Sequence, residues 1–135
     1  MNIKYLYVRN EYKKRDVTVV SNLFDEDGKT FIKFAWSFRH KNDQFIKREG
    51  RRVALERLQN NDPNYSAMVQ VEPEKVKFFD LAVEILESIA NSPYTPKVYK
   101  RDIAEDMQYY LFRTEENQNR LSERWKLFRD KGQLV

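Results

Sequence analysis

The densest run of chemistry-bearing side chains lies between positions 36 and 58, WSFRHKNDQFIKREGRRVALERL. It holds Arg39, Lys41, Lys47, Arg48, Arg51, Arg52 and Arg57 against Asp43, Glu49 and Glu56. At about 100° per residue, Lys47, Arg48, Arg51 and Arg52 spread over an arc of about 140° at the start of a helix. Cations so arranged suit phosphate or carboxylate, and the free N–H groups of a helix N-terminus favour anions at the same end. The competing reading is a solvated helix face, laced by pairs such as Glu49 with Arg52 or Arg48. Arg57 stands apart. On the helical wheel it falls between Ile46 and Gly50, inside the apolar arc, where a guanidinium must find a partner. An internal ion pair to Asp80 or Glu84 is one solution, and a ligand-facing Arg at the edge of a sheet is the other.

A second group interleaves aromatic and basic side chains: Tyr5, Tyr7, Arg9, Tyr12, Lys13, Lys14 and Arg15. Bases stack on aromatic rings while Lys and Arg meet phosphates, so the mixture suits nucleic acid or a nucleotide. Trp36 adds a further ring. The plain alternative is a cross-strand aromatic row beside a solvated turn.

Catalytic chemistry is poorly supplied. The chain has 135 residues, no Cys and one His, His40. Thiolate nucleophiles, disulfides and Cys-based metal sites are excluded, and a Ser-His-Asp triad or a His-rich metal site has little to build on. No GxGxxG, P-loop or GxSxG is present. Asp27-Gly28-Lys29 mimics part of a nuclease pattern but sits in a hairpin turn. His40 and Asp43 alone do not make a metal site. The expectation is a chain that is not an enzyme and has neither cofactor nor metal.

These side chains must be positioned by a small fold. With 9 Phe, 8 Tyr and 2 Trp, the sequence can form a core, and no run approaches the roughly 20 apolar residues of a membrane span. A single domain, 1–135, is expected, with a basic β-meander and helix over 1–60 and a helical part over 61–135. The charge is uneven: residues 1–60 hold 14 Lys and Arg against 8 Asp and Glu, whereas 61–99 hold 3 against 6. A positive half points to an anionic partner, or simply to solubility. The N-terminal run MNIKYLYVRN has no signal-peptide layout, so the cytoplasm is the expected location.

Residues 2–9 alternate as a strand, with Ile3, Tyr5 and Tyr7 on one face and Leu6 and Val8 on the other. Residues 17–24 are β-branched and read as a second strand. Asp25-Glu26-Asp27-Gly28 is a hairpin turn. Residues 30–38 form a third strand, placing Thr30, Ile32, Phe34, Trp36 and Phe38 on one face. A helix over 43–60 follows, whose arc of Ile46, Gly50, Val53, Ala54 and Leu58 lies on the sheet, with Gly50 permitting close approach. Residues 59–70 read as a loop. Glu72-Pro73 opens a central helix with stripes Val76, Phe79, Val83, Leu86, Ala90 and Phe78, Ala82, Ile85, Ile89, ending at Asn91-Ser92-Pro93. Residues 94–99 read as extended, and Asp102 with Glu105 as the capping box of a last segment, 102–131, of one helix or two. The fold class is α+β: a three-stranded antiparallel meander packed on helices, with a long C-terminal helical segment.

The run 34–58 resembles one found in a family of small tailed-bacteriophage proteins. There an aromatic strand and a short turn with an Asp precede a Phe, basic residues, a Gly-Arg pair, an Ala and an Arg-Leu. The matching residues are Phe34, Ser37, Asp43, Phe45, Lys47, Gly50, Arg51, Ala54, Arg57 and Leu58. The resemblance implies a phage or mobile-element origin, hence the host cytoplasm, and no particular activity.

Two functions follow as expectations. The first is a non-enzymatic, phage-type accessory protein that binds nucleic acid or a nucleotide to modulate host machinery or host defence. Its site would use Arg39, Lys47, Arg48, Arg51, Arg52 and Arg57, with Tyr5, Tyr7 and Trp36 for stacking. The second is an inhibitor of a host or defence protein, binding through the same basic and aromatic face. A third arrangement pairs two copies through a heptad seam of Met107, Leu111, Leu121, Trp125 and Phe128, interrupted by Thr114 and Gln118.

Overall fold

A computed structural model describes residues 3–10, 15–39 and 47–112. Four strands form one antiparallel sheet in the order β1-β2-β3-β4: β1 (Ile3–Asn10), β2 (Arg15–Glu26), β3 (Lys29–Phe38) and β4 (Ser66–Val71). Helix α1 (Lys47–Gln59) lies between β3 and β4 in the chain, and α2 (Phe78–Asn91) and α3 (Lys97–Leu111) follow. The class is α+β, as the sequence indicates, but with a fourth strand.

Alternation along the strands makes the layers. Leu6, Val8, Val17, Val19, Ile32, Phe34 and Trp36 point to one face, where they meet Leu81, Ile85, Leu86 and Ile89 of α2 and Ile103 of α3. The opposite face carries Tyr5, Val20 and Ala35, which pack with Ala54 and Leu58 of α1. The sheet is therefore covered on both sides, and both faces of its central strands are apolar.

Local chemistry sets the joints. Asp27 and Gly28 both take positive φ (53° and 76°), giving the two-residue turn that matches strand twist between β2 and β3. Gly50 is where α1 meets the sheet. A Cβ there would lie 2.6 Å from Thr18 Oγ1, and Ser37 Oγ donates to the Gly50 carbonyl at 3.1 Å. Thr18 and Ser37 are cross-strand partners, so α1 rests on that pair through its bare backbone. Asn61, with φ 51°, closes α1: its N–H bonds to the Leu58 carbonyl and that of Asp62 to the Arg57 carbonyl, the paired bonds of a Schellman motif.

Several expectations are corrected. Residues 59–70 are not all loop, because Ser66–Val71 pairs with β3. Its short alternation of Ala67, Val69 and Val71 is weak beside the turn formers before it. Glu72-Pro73 does not open α2. Pro73–Lys75 forms a single 3-10 turn, and α2 begins at Phe78, which leaves Val76 and Phe78 exposed and brings Leu81 into the core. Helix α3 starts at Lys97, directly after Pro96, so 94–99 is extended only in its first part. Asp102 is then inside the helix and buried, not a cap. Met107 is partly buried and packs against the main core. Leu121, Trp125 and Phe128 lie outside the described residues, as do 40–46, 11–14 and the end of the proposed long helix.

Candidate anion-binding face

The face built by α1 and β1 gathers part of the sequence-derived site. Tyr5, Tyr7 and Arg9 alternate along β1 on the α1 side of the sheet, two residues apart. Arg51 reaches over from α1. Its guanidinium carbon lies 5.4 Å from the centroid of the Tyr5 ring and 5.9 Å from that of Tyr7. Both distances fall within cation–π range. Arg51 Nε is buried and has no hydrogen-bond partner, and no carboxylate pairs with Arg51 among the described residues. Arg48 stands one turn earlier on α1 and is exposed; Lys47 opens the helix four residues before Arg51. The two tyrosines thus serve as a shelf that orients a guanidinium. Their inner faces are already used, so a base would stack on the outer plane of Arg51 rather than on those ring faces.

The remaining cations are committed elsewhere. Arg52 lies on the outer side of α1 between Glu49 and Glu56, bonded to Glu49 through Nε and Nη2 and to Glu56 through Nη1 at 3.0 Å. Its hydrogen bonds hold the Glu49 carboxyl below the usual range, and those carboxylates in turn raise Arg52. Arg52 belongs to the solvated, internally paired face, because two carboxylates stand at i−3 and i+4.

Arg57 is neither an ion pair to Asp80 or Glu84 nor a free ligand contact. Nη1 donates to the Trp36 carbonyl at 2.7 Å, and the guanidinium lies 4.2 Å from the centroid of the Tyr65 ring. The reason lies in the ladder. The N–H of Trp36 donates to the Tyr65 carbonyl at 3.1 Å, but the N–H of Tyr65 donates to Asp62 Oδ1 at 3.0 Å instead of returning to Trp36. Arg57 supplies the donor that β4 withholds.

Trp36 cannot stack a ligand. It alternates with Phe34 on the main-core face, is 2% exposed and stacks on Phe34 with centroids 5.9 Å apart. Its Nε1 has no hydrogen-bond partner among the described residues.

Arg39 lies at the end of the same sheet face as Tyr7, but its charge is shared. Asp16 is buried beside it, with Arg39 Nε 2.6 Å from Oδ2 and Arg9 Nε 3.5 Å from Oδ1. On the opposite face Arg15 grips Asp102 with two bonds, Nε to Oδ2 at 2.8 Å and Nη2 to Oδ1 at 3.0 Å, and Asn10 Nδ2 adds a third at 3.0 Å. Burial alone would push the Asp102 carboxyl up, but the Arg15 and Asn10 bonds outweigh it and hold the group below the usual range. The Tyr99 hydroxyl donates to the Arg39 carbonyl, and burial raises its pKa. Both networks tie the first turns of α3 to the one end of the sheet where Asn10, Arg15 and Arg39 meet. Sequence reading did not single out Asp16, Asn10, Tyr99 or the Asp102–Arg15 pair, since nothing local links positions so far apart.

Among the described residues no group of three or more His, Cys, Asp or Glu is placed to hold a metal ion, and no helix is long and apolar enough to cross a membrane. Comparison with family models, with curated proteins and with solved structures finds no match to this chain.

Proposed function

We propose that this protein is a non-enzymatic accessory protein that binds a phosphate-bearing partner, nucleic acid or nucleotide, on the face formed by α1 and β1. One observation carries the reading. Arg51 is held against two aromatic rings, and among the described residues no acceptor meets its buried Nε and no carboxylate neutralises it. A planar guanidinium so oriented offers its N–H fork to phosphate and its outer plane to a base. Arg48, exposed one turn earlier on α1, places further positive charge beside it. The opposite, helical side of the molecule carries Asp80, Glu84 and Glu87 on α2, so the field favours one approach. The resemblance of 34–58 to tailed-phage proteins supports a setting in which such a protein modulates host machinery or host defence.

The test is fluorescence anisotropy with labelled single-stranded and duplex oligonucleotides, with ATP as competitor, across a salt series. Binding should weaken linearly in log–log form with salt. Arg51→Ala should lower affinity about tenfold and flatten the slope by about 0.7 to 0.9, the share of one phosphate contact. Arg52→Ala should change affinity less than about twofold, because its charge is already matched by neighbouring carboxylates. Absence of binding at low salt, or an Arg48→Ala plus Arg51→Ala variant that binds as tightly as the parent, refutes the proposal. In that case a host protein retained in a nuclease-treated pull-down, and lost in the same variant, would move the reading to an inhibitor acting through this face.

A further inference from the structure

The outer edge of β4 is the least protected strand edge in the described fold, and two independent observations meet there. The first is the direction of its backbone groups. Trp36 N–H donates to the Tyr65 carbonyl, and antiparallel residues alternate in the side to which they turn N–H and C=O. Tyr65, Ala67, Val69 and Val71 therefore face β3, while Ser66, Met68 and Gln70 face away. Ser66 is already served, since its N–H and its hydroxyl both donate to the Asp62 carbonyl, at 3.1 Å and 2.6 Å. β4 ends the sheet, so among the described residues no strand takes up the groups of Met68 and Gln70. The second observation is side-chain exposure. Met68 is 57% exposed, more than any other large apolar side chain described.

Strand edges are ordinarily guarded by charge, proline or a bulge. The edge at β1 carries Lys4 and Arg9, both exposed. β4 reads SAMVQV, with no charge, no Pro and no Gly. An uncharged strand with strict alternation is complementary to itself. A two-fold axis normal to the sheet keeps equivalent faces together when the paired positions sum to an even number. With Val69 opposite the partner's Val69, Met68 falls opposite the partner's Gln70. The free N–H and C=O of both residues are then all used, and Val69 and Val71 of the two copies continue one apolar strip. Pairing at β1 would instead crowd like charges.

We infer that β4 pairs antiparallel with β4 of a second copy of this chain, joining two sheets into one of eight strands. Both α1 layers then lie on the same side, so the dimer presents its two Arg51 shelves from one continuous sheet. This inference stands on β4 alone and is independent of whether the Arg51 shelf binds phosphate.

Sedimentation velocity over roughly 10 µM to roughly 500 µM reads the association directly, since a six-residue strand pair without other cover belongs in the weak range. The mass should rise from 16.4 kDa toward twice that value. Met68→Lys should stay monomeric with an unchanged melting temperature. Met68→Pro should do the same, because it removes an N–H that points away from β3. The register has its own readout, because the chain has no Cys. Under mild oxidation, an equimolar mixture of Met68→Cys and Gln70→Cys chains should cross-link at least about fivefold more than either chain alone, since hydrogen-bonded antiparallel partners have Cα atoms about 5.5 Å apart. A chain that remains at 16.4 kDa at the highest concentration overturns the inference. So does a dimer that survives both Met68 substitutions, and so does equal cross-linking of single and mixed variants.

Discussion

Gly50→Ala is the sharpest probe of how α1 is seated. In an isolated helix this change stabilises by about 1 kcal/mol, because Ala loses less backbone entropy. Here the new Cβ would lie 2.6 Å from Thr18 Oγ1, 3.3 Å from Thr18 Cβ and 3.6 Å from Thr18 Cγ2. Thr18 is buried and β-branched, so it has little room to turn aside. Overpacking of this kind costs about 1–3 kcal/mol, and any retreat of the helix also lengthens the 3.1 Å bond from Ser37 to the Gly50 carbonyl. The expected net loss is about 1–2 kcal/mol, read as a fall of roughly 3–8 °C in melting temperature for a chain of this size. Thr18→Ala removes Oγ1 and Cγ2 and leaves only the 3.3 Å contact. In that background Gly50→Ala should become neutral or stabilising, which makes the coupling in a double-mutant cycle about 2 kcal/mol. Urea unfolding of the four chains followed by circular dichroism measures it. Equal costs in both backgrounds would refute the close approach at Gly50.

Asp102→Asn should destabilise by about 2 kcal/mol, because the charge-assisted bonds from Arg15 and Asn10 lose their carboxylate in a buried site. The parent's advantage should also depend on pH. The folded-state pKa lies below the unfolded value of about 3.9, so the stability Asp102 contributes is complete well above that value and disappears as pH falls through the folded one. Thermal melts from pH 7 to pH 2 should show parent and variant converging in acid. Arg57→Met should cost about 1–2 kcal/mol through the unpaired Trp36 carbonyl and the lost Tyr65 contact, and Arg57→Lys should recover only part of it, since an ammonium lacks the planar fork. A full recovery by Lys in denaturant melts would contradict that account. Arg52→Ala should leave the melting temperature within error at ordinary salt, since its pairs with Glu49 and Glu56 are solvent-exposed.

The parts of the fold that the sequence announces are those with strong local chemistry. β1 and β3 show period-2 alternation, β2 is rich in β-branched residues, the Asp27-Gly28 turn has residues that tolerate positive φ, and the apolar run of α2 is unmistakable. β4 is hidden because its inward residues include only Ala67, Val69 and Val71, and its pairing with β3 is decided by partners more than 30 positions earlier in the chain. The start of α3 is hidden for a different reason. Asp102 followed by Glu105 has the pattern of a capping box, but Pro96 already fixes a helical entry at Lys97, and the Asp102 side chain is claimed by Arg15 from β2. A local motif yields when a cation across the fold offers its carboxylate a stronger partner.

The same principle decides which cations remain available to a ligand. Counting charge over 1–60 treats each Arg alike, but the fold spends them differently. Arg52 is matched within its own helix, where i−3 and i+4 spacing is legible in the sequence. Arg39 goes to Asp16 and Arg15 to Asp102, partners set by tertiary structure, while Arg57 repairs a gap in a β-ladder. Among the described residues Arg51 meets the faces of Tyr5 and Tyr7 and no carboxylate, and the rings orient its charge without cancelling it. That difference separates a cation that holds the protein together from one that can bind something else. It also makes Arg51→Lys informative: charge is retained and the planar contact with both rings is lost. If the aromatic shelf matters only for stability, Lys should bind oligonucleotide as Arg does once melting temperatures are accounted for. If the shelf aims the guanidinium at phosphate, affinity should fall several-fold while the salt dependence stays unchanged.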